Sequence, residues 1–206
     1  MVERHVAARG IRDPRVLDAM KKVPRHLFVP DLVAAKAYTP AALPIGKNQT
    51  ISHPYIVARM IELLELHGTE KVLEIGTGTG YQAVVLSYLA ARVFSIERIN
   101  ALALKAVENV RRLKRNNVSI KVFDGTYGWS DQAPFDRIIV AAAAPEVPEP
   151  LVRQLDRKGR MVIPIGPAGD QKLAIVTKVG TGIQIEDRGP AEFVPLVGKF
   201  GWKEKE

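Results

Sequence analysis

The chain has 206 residues, 47% hydrophobic and 25% charged, the profile of an ordinary soluble globular fold with length for one full core. It contains no cysteine, which excludes disulfides, thiolate metal sites and cysteine nucleophiles, and its four histidines (His5, His26, His53, His67) never fall at i, i+4 spacing, so no metal is expected. The net charge of +8 admits three readings: a nucleic-acid partner, attraction of acidic substrates, or a solubilising surface.

The opening stretch, Met1 to Gly10, carries charges where a secretory leader needs an apolar run. The longest apolar run, Ile138 to Ala144, is too short to cross a bilayer and stops at Pro145. A cytoplasmic location without a membrane partner is expected. Asp13-Pro14 reads as an N-cap and N1 pair, opening a helix that stops before Pro24. Residues 24 to 54 are rich in proline and glycine and read as irregular structure that wraps over something. A second helix, roughly Pro54 to His67, sets Ile56, Val57, Met60, Ile61 and Leu64 at helical spacing, and Gly68 ends it.

From there the pattern alternates. Lys71 to Ile75, Arg92 to Glu97, Val118 to Phe123 and Phe135 to Ala141 read as strands. Tyr81 to Ala91, Asn100 to Arg115 and Glu149 to Leu155 read as helices, the basic run Arg111 to Arg115 suiting a helix C-terminus. Arg160 to Ile165, Lys172 to Val179 and Ile183 to Glu186 close as strands too near each other for helical crossovers, so a hairpin is expected. The tail from Trp202 to Glu206 is expected to fray. The predicted fold is α/β: a parallel, doubly wound sheet.

The most informative stretch is Val72-Leu-Glu-Ile-Gly-Thr-Gly-Thr-Gly80, an apolar strand running into glycines at alternate positions and then a helix. Bare backbone there can lie against a ligand. The dinucleotide fingerprint would need glycine at position 81, which is Tyr81. Tyr81 crowds the seat of a pyrophosphate and Glu74 adds negative charge beside it, so a ribose-bearing cofactor without phosphate, S-adenosylmethionine, fits better. Two further strand ends carry matching groups. Glu97, about twenty residues beyond Gly76, can accept both hydroxyls of a ribose. Asp124 can accept from an adenine amino group while Gly125 leaves room for the ring. Each feature alone also reads blandly: a tight turn, an exposed strand end, an Asp-Gly turn.

The sequence resembles protein-L-isoaspartate O-methyltransferases over nearly its whole length, from about Val2 to Gly198. Glu74-Ile-Gly-Thr-Gly-Thr-Gly80 matches the first methyltransferase motif, which is generic. Specific to the family are Val23-Pro-Arg-His-Leu-Phe-Val-Pro30 and Gln49-Thr-Ile-Ser52. Pro44-Ile-Gly46, Tyr81-Gln82, Ser95-Ile-Glu-Arg98, Asp124-Gly125, Pro134-Phe-Asp136, Ala142-Ala-Ala-Pro145 and Val162-Ile-Pro-Ile-Gly166 support it. The resemblance implies a Rossmann-like sheet with helices on both faces, as one domain over 1–206, with a cap and lid over 1–68 and a core over 69–206. It also implies methylation of the free carboxylate of L-isoaspartyl residues in damaged proteins and peptides, with S-adenosylmethionine as cofactor and S-adenosylhomocysteine as product. No nucleic-acid partner and a monomeric state are expected.

By the same likeness Ser52 falls on the active-site serine. Thr50, Ile51, Ser52 and Tyr55 fall beside the sulfonium end of the cofactor. Glu74, Gly76, Thr77, Gly78, Gly80, Glu97, Arg98, Asp124, Gly125 and Val197 fall on the rest of its site. Ile45, Ser52, Ala143, Val194 and Leu196 fall on the substrate side. The chain departs from the family pattern at Lys47-Asn48, where a glycine usually precedes Gln-Thr, and at Asp156-Arg-Lys-Gly159, which has one glycine where two are common. Asn can hold the left-handed conformation the turn needs. Ser52 also reads as an N-cap ahead of His53-Pro54. Rival classes are a nucleic-acid methyltransferase, a small-molecule methyltransferase and a non-catalytic binder of adenosine ligands or damaged chains. Against the first, the fourth strand ends in Ala142-Ala-Ala-Pro145, with no amide or acid to hold an amino group.

Overall fold

The computed structural model describes residues 1–180 and 182–203. In chain order the elements are α1 (Val2–His5), α2 (Pro14–Lys22), α3 (Asp31–Ala34), β1 (Leu43–Gly46), β2 (Gln49–Ile51), α4 (Pro54–Leu63), β3 (Lys71–Ile75), α5 (Tyr81–Leu86), β4 (Arg92–Glu97), α6 (Asn100–Arg112), β5 (Val118–Val122), β6 (Phe135–Val140), α7 (Glu149–Gln154), β7 (Leu155–Ile165), β8 (Gln171–Val179) and β9 (Gly182–Ala191). A seven-stranded sheet runs β5-β4-β3-β6-β7-β8-β9. The first five of these strands are parallel, and β8 and β9 return antiparallel, which is the expected hairpin.

Alternation along the strands divides the interior into two cores. Val72, Val93, Ile139, Val162 and Ile175 point into one, with residues of α1, α2, α4, α5 and α6. Leu73, Phe94, Ile138, Met161 and Val176 point into the other, with Leu151 of α7 and Trp129. Strand order reverses between β3 and β6, so their carboxyl ends open a crevice that crossover connections leave uncovered.

Several elements differ from the sequence reading. α5 stops at Leu86, short of Ala91, because Arg115 Nη2 and Asn117 Nδ2 donate to the Ser87 carbonyl at 2.8 and 2.9 Å and close that end from outside. Arg115 also lies 3.8 Å over the Tyr88 ring, so part of the basic run is structural. α4 ends at Leu63, with Glu65 in the left-handed region, and the amides of His67 and Gly68 donate to the Glu70 carboxylate. The wrapping segment holds local structure: 3₁₀ turns over Arg25–Phe28, the short α3, and the β1–β2 hairpin. That hairpin closes with Gly46 opposite Gln49 and with Lys47 and Asn48 both at positive φ (55° and 56°). This is the geometry of a tight primed turn, so the departure at Lys47-Asn48 leaves the hairpin intact. At the other departure, residues 156–159 bulge between the pairs Phe135–Leu155 and Arg137–Arg160, and Gly159 packs against Leu155. β9 is longer than Ile183 to Glu186 and tolerates Pro190 at the sheet edge. Trp202 is not frayed: its amide donates to the Leu196 carbonyl at 2.8 Å and its indole N–H to the Ala143 carbonyl at 2.9 Å. The remainder of the tail, 204–206, lies outside the described residues.

Arg25 ties the wrapping segment down. Its side chain is buried, Nε donates to the Ala37 carbonyl at 2.9 Å, and Nη2 donates to the Ser52 carbonyl at 2.7 Å. The guanidinium also lies 4.8 Å over the Tyr81 ring of α5.

Leu73 is fully buried in the central strand. Leu73→Ala should lower stability by about 2–5 kcal/mol in urea denaturation, the cost of a core cavity.

Candidate active site

The glycine turn forms the floor of the crevice. The amides of Gly76 and Thr77 donate to the Ile96 carbonyl at 2.9 and 3.3 Å, hooking the turn to the end of β4. Gly78 has φ +57, and a Cβ there would come within 3.2 Å of Ile45 Cδ1 in the overhanging hairpin. Glu97 clasps this floor: Oε2 accepts the Gly78 amide at 2.8 Å and Oε1 the Ile99 amide at 2.9 Å. Burial foremost raises its pKa, against the lowering effect of those amides. Each carboxylate oxygen accepts one amide and keeps further acceptor capacity, which suits a vicinal diol.

The crevice encloses about 840 Å³ when the open solvent at its mouth is counted. Its walls come from distant parts of the chain. The hairpin and the segment after it contribute Ile45, Thr50, Ile51 and Ser52; the floor contributes Gly76, Thr77 and Gly78. Glu97, Arg98, Gly125, Val194, Leu196 and Val197 also belong to the lining. These sequence-predicted residues are brought together.

Five others stand outside the walls. Tyr55 lies under the Arg9 guanidinium, 4.1 Å from ring centroid to Cζ. Gly80 begins α5 and packs on Ala106, 3.2 Å from the place of a Cβ. Asp124 sits one residue behind the wall: Oδ1 accepts the Thr126 amide at 2.9 Å and its hydroxyl at 2.7 Å, and Oδ2 accepts the Lys199 amide at 2.9 Å. Ala143 uses its backbone to pair with Val194 and Leu196, while Ala142 is the residue at the wall, as alternation along extended chain requires.

Glu74 is the fifth, fully buried behind the floor. Ser95 Oγ donates to Glu74 Oε2, and the Thr77 hydroxyl meets Ser95 Oγ at 2.5 Å. Two hydroxyls, of Ser95 and Thr77, thus link the glutamate to the glycine turn. Burial pushes the Glu74 carboxyl up to about 8. At neutral pH it is mainly the neutral acid, and the negative charge expected beside the turn is absent.

Ser52 does not cap α4. His53 Nδ1 accepts the Tyr55 amide at 3.0 Å in that role, and the Ser52 hydroxyl makes no hydrogen bond to any described residue. Tyr81 fills the place of the third glycine as expected, packed edge-on to Phe28 at 5.4 Å, and burial pushes its phenol up to about 12. Ile99, Leu102 and Ala141 also line the crevice and were missed. They are plain apolar residues, and only their closeness to Glu97 and to the fourth strand end could have marked them.

What such a crevice accepts, a nucleoside without a phosphate, puts the fold among the S-adenosylmethionine-dependent methyltransferases. The family profile described as protein-L-isoaspartate(D-aspartate) O-methyltransferase matches residues 1–201. A protein-L-isoaspartate O-methyltransferase of Geobacter metallireducens is 55% identical over 207 residues, covering 100% of this chain and 96% of the relative. Protein-L-isoaspartate O-methyltransferase 1 of Syntrophobacter fumaroxidans is 52% identical, covering 98% and 95%. A solved protein-L-isoaspartate O-methyltransferase superposes with TM-score 0.89 at 28% identity, over 98% of this chain and 67% of that one. A Plasmodium falciparum structure described as a putative enzyme of this kind, in complex with S-adenosyl-L-homocysteine, gives TM-score 0.80 at 27% identity, covering 94% of each chain. The chain belongs to the protein-L-isoaspartate(D-aspartate) O-methyltransferase family.

Glu97→Ala should weaken S-adenosylhomocysteine binding by about tenfold or more in titration calorimetry, the size of a lost charge-assisted hydrogen bond. A second expectation concerns Glu74. Its carboxyl is raised in the fold, so the stability it contributes is fully present below its ordinary value of 4.5 and is lost as pH climbs toward about 8. Urea denaturation at pH 5 and pH 8 should show a larger fall for the natural protein than for Glu74→Gln.

Proposed function

We infer that this chain transfers the methyl group of S-adenosylmethionine to the free carboxylate of L-isoaspartyl residues in damaged proteins and peptides. The resulting ester collapses to a succinimide that opens partly to normal aspartate, which makes the activity one of repair. The observation that carries this reading is the crevice itself: a phosphate-averse cofactor floor facing an overhanging segment that ends in Ser52. We also propose that the chain works as one unit, residues 1–68 serving as cap and lid over a core of 69–206, in the cytoplasm, as a monomer, on polypeptide rather than nucleic-acid substrates.

When bound, the cofactor supplies an electrophilic methyl on a sulfonium. The attacking carboxylate is already ionised at neutral pH, so no general base is needed. Anion and cation become two neutral products, and water that solvates the separate charges slows the step. The hairpin, with Ile45 over Gly78, supports water exclusion, and alignment can contribute on the order of 7–11 kcal/mol in favourable cases. A cationic clamp on the attacking oxygen would stabilise the starting state. The unengaged hydroxyl of Ser52, a neutral donor on the crevice wall, suits the role better.

The segment Val194 to Val197 supports a substrate read through its backbone. One side pairs with Ala143, which donates to the Val194 carbonyl at 2.8 Å and accepts the Leu196 amide at 2.8 Å. The Pro195 carbonyl and the Val197 amide bond to no described residue, which leaves an edge for an extended peptide. Main-chain pairing tolerates many side chains.

Radiolabelled methyl transfer to an isoaspartyl peptide, with its aspartyl twin as control, tests the activity: label is expected on the first alone. Cofactor binding without transfer to either peptide would defeat the reading. Ser52→Ala should lower kcat on the order of tenfold, the worth of one neutral hydrogen bond, while S-adenosylhomocysteine affinity stays nearly unchanged.

A further inference from the structure

Gln82 stands between the crevice and the acid buried behind its floor. It lies in the first turn of α5, is buried, and lines the crevice beside the glycine turn. Burial foremost raises the Glu74 pKa, while Ser95 and then the Gln82 amide act on the carboxyl to lower it. An amide favours an ionised acid by donating to it, so Nε2 is the end turned inward. Gln82 Nε2 and Glu74 Oε1, a donor and an acceptor, are both buried with no other partner among the described residues. The Gln82 carbonyl accepts from no described residue and is left for the crevice.

Strand order says which part of a ligand reaches this oxygen. The sheet runs β5-β4-β3. Gly125, which leaves room for an adenine, follows β5, and Glu97, which suits a sugar, ends β4. A nucleoside laid across those two strand ends carries its 5′ substituent onto β3, where Glu74 and the turn into α5 belong. In S-adenosylmethionine and in its product that substituent ends in an amino acid. A carbonyl oxygen accepts from the ammonium, and the two acids nearby disfavour the carboxylate.

Glu74 itself answers to such a cation. From β4, Ser95 is neutral and Glu97 raises its pKa further; β6 faces it with apolar Ile139; from α5, Tyr81 keeps its proton. No cationic group is among those that act on it, and burial keeps its proton on at neutral pH. An ammonium at Gln82 supplies the positive charge these surroundings lack, and an ionised Glu74 in turn holds the amide N–H inward and the carbonyl outward.

We propose that the Gln82 carbonyl seats the α-ammonium of the cofactor, and that Glu74 gives up its proton to solvent as that cation arrives. Gln82 is then a cofactor-binding residue and Glu74 a positioning residue that acts through it. This rests on the crevice as an S-adenosylmethionine site and not on the polypeptide substrate inferred above.

The test is titration calorimetry at pH 7 in phosphate and in Tris, whose different heats of ionisation count the protons exchanged. S-adenosylhomocysteine should release roughly half a proton or more per molecule bound. Methylthioadenosine, the same nucleoside without the amino-acid end, should release close to none; both ligands carry the ribose, so the comparison also separates Glu74 from Glu97. In Glu74→Gln the release should vanish. Gln82→Met should bind S-adenosylhomocysteine about tenfold more weakly, the worth of one hydrogen bond to a charged group, while an unchanged affinity for methylthioadenosine shows that the fold is intact. Equal proton release with the two ligands, a release that survives Glu74→Gln, or undiminished S-adenosylhomocysteine affinity in Gln82→Met would overturn the proposal. Failure of the natural protein to bind either ligand would overturn the cofactor site itself, and the seat with it.

Discussion

One guanidinium, without a carboxylate partner among the described residues, ties the roof of the crevice to its base. Arg25 reaches two carbonyls, of Ala37 and Ser52, and lays its flat face on Tyr81. Three separate stretches of chain meet on one side chain: the wrapping segment, the approach to α4, and the first residue of α5. Lysine could not do this, because a point charge cannot span two carbonyls and a ring at once. The cost is visible, since burial lowers the Arg25 pKa and Nη1 has no hydrogen-bond partner among the described residues. The wrapping segment is also held by buried Ile45 and Ile51 and by the Thr79 hydroxyl, which donates to the Phe28 carbonyl at 2.7 Å.

Around this anchor the labour is divided by origin. The sheet provides a rigid floor at its switch point, where Gly78 and Glu97 fix each other across two strands. The N-terminal third supplies the roof, and the C-terminal stretch supplies a side wall pinned by Trp202. Electrostatics follow the same plan. Glu74 is neutralised behind the floor, Glu97 clasps that floor through two amides, and Arg9, Arg25 and His5 act together on His53, next to Ser52. Such separation suits a reaction whose charges disappear as it proceeds.

Much of this was legible in the sequence, for local reasons. The strand running into alternate glycines, the acid ending the next strand and the Asp13-Pro14 helix start are all short-range patterns, and each stands where expected. What escaped depends on contacts made across the fold. The early end of α5 is set by Arg115 and Asn117, about thirty residues away. Whether Ala142 or Ala143 faces the crevice depends on how the chain leaves β6 to pair with Val194. The charge state of Glu74 depends on burial that no local pattern reveals. Arg25 sits within a family-specific segment, but nothing nearby in sequence announces Ala37 and Ser52 as its partners.

The tethering of Asp124 has a consequence for the durability of the protein itself. Asp124-Gly125 is the single Asp-Gly pair in the chain, and there is no Asn-Gly pair. Such pairs are prone to spontaneous isomerisation, because an unhindered glycine nitrogen can attack the preceding side-chain carbonyl carbon. Here both carboxylate oxygens are restrained, by Thr126 and by the Lys199 amide, while Gly125 is wedged against Ile75. The dipeptide most apt to age is thereby immobilised in the folded enzyme, which keeps the catalyst from turning into its own substrate.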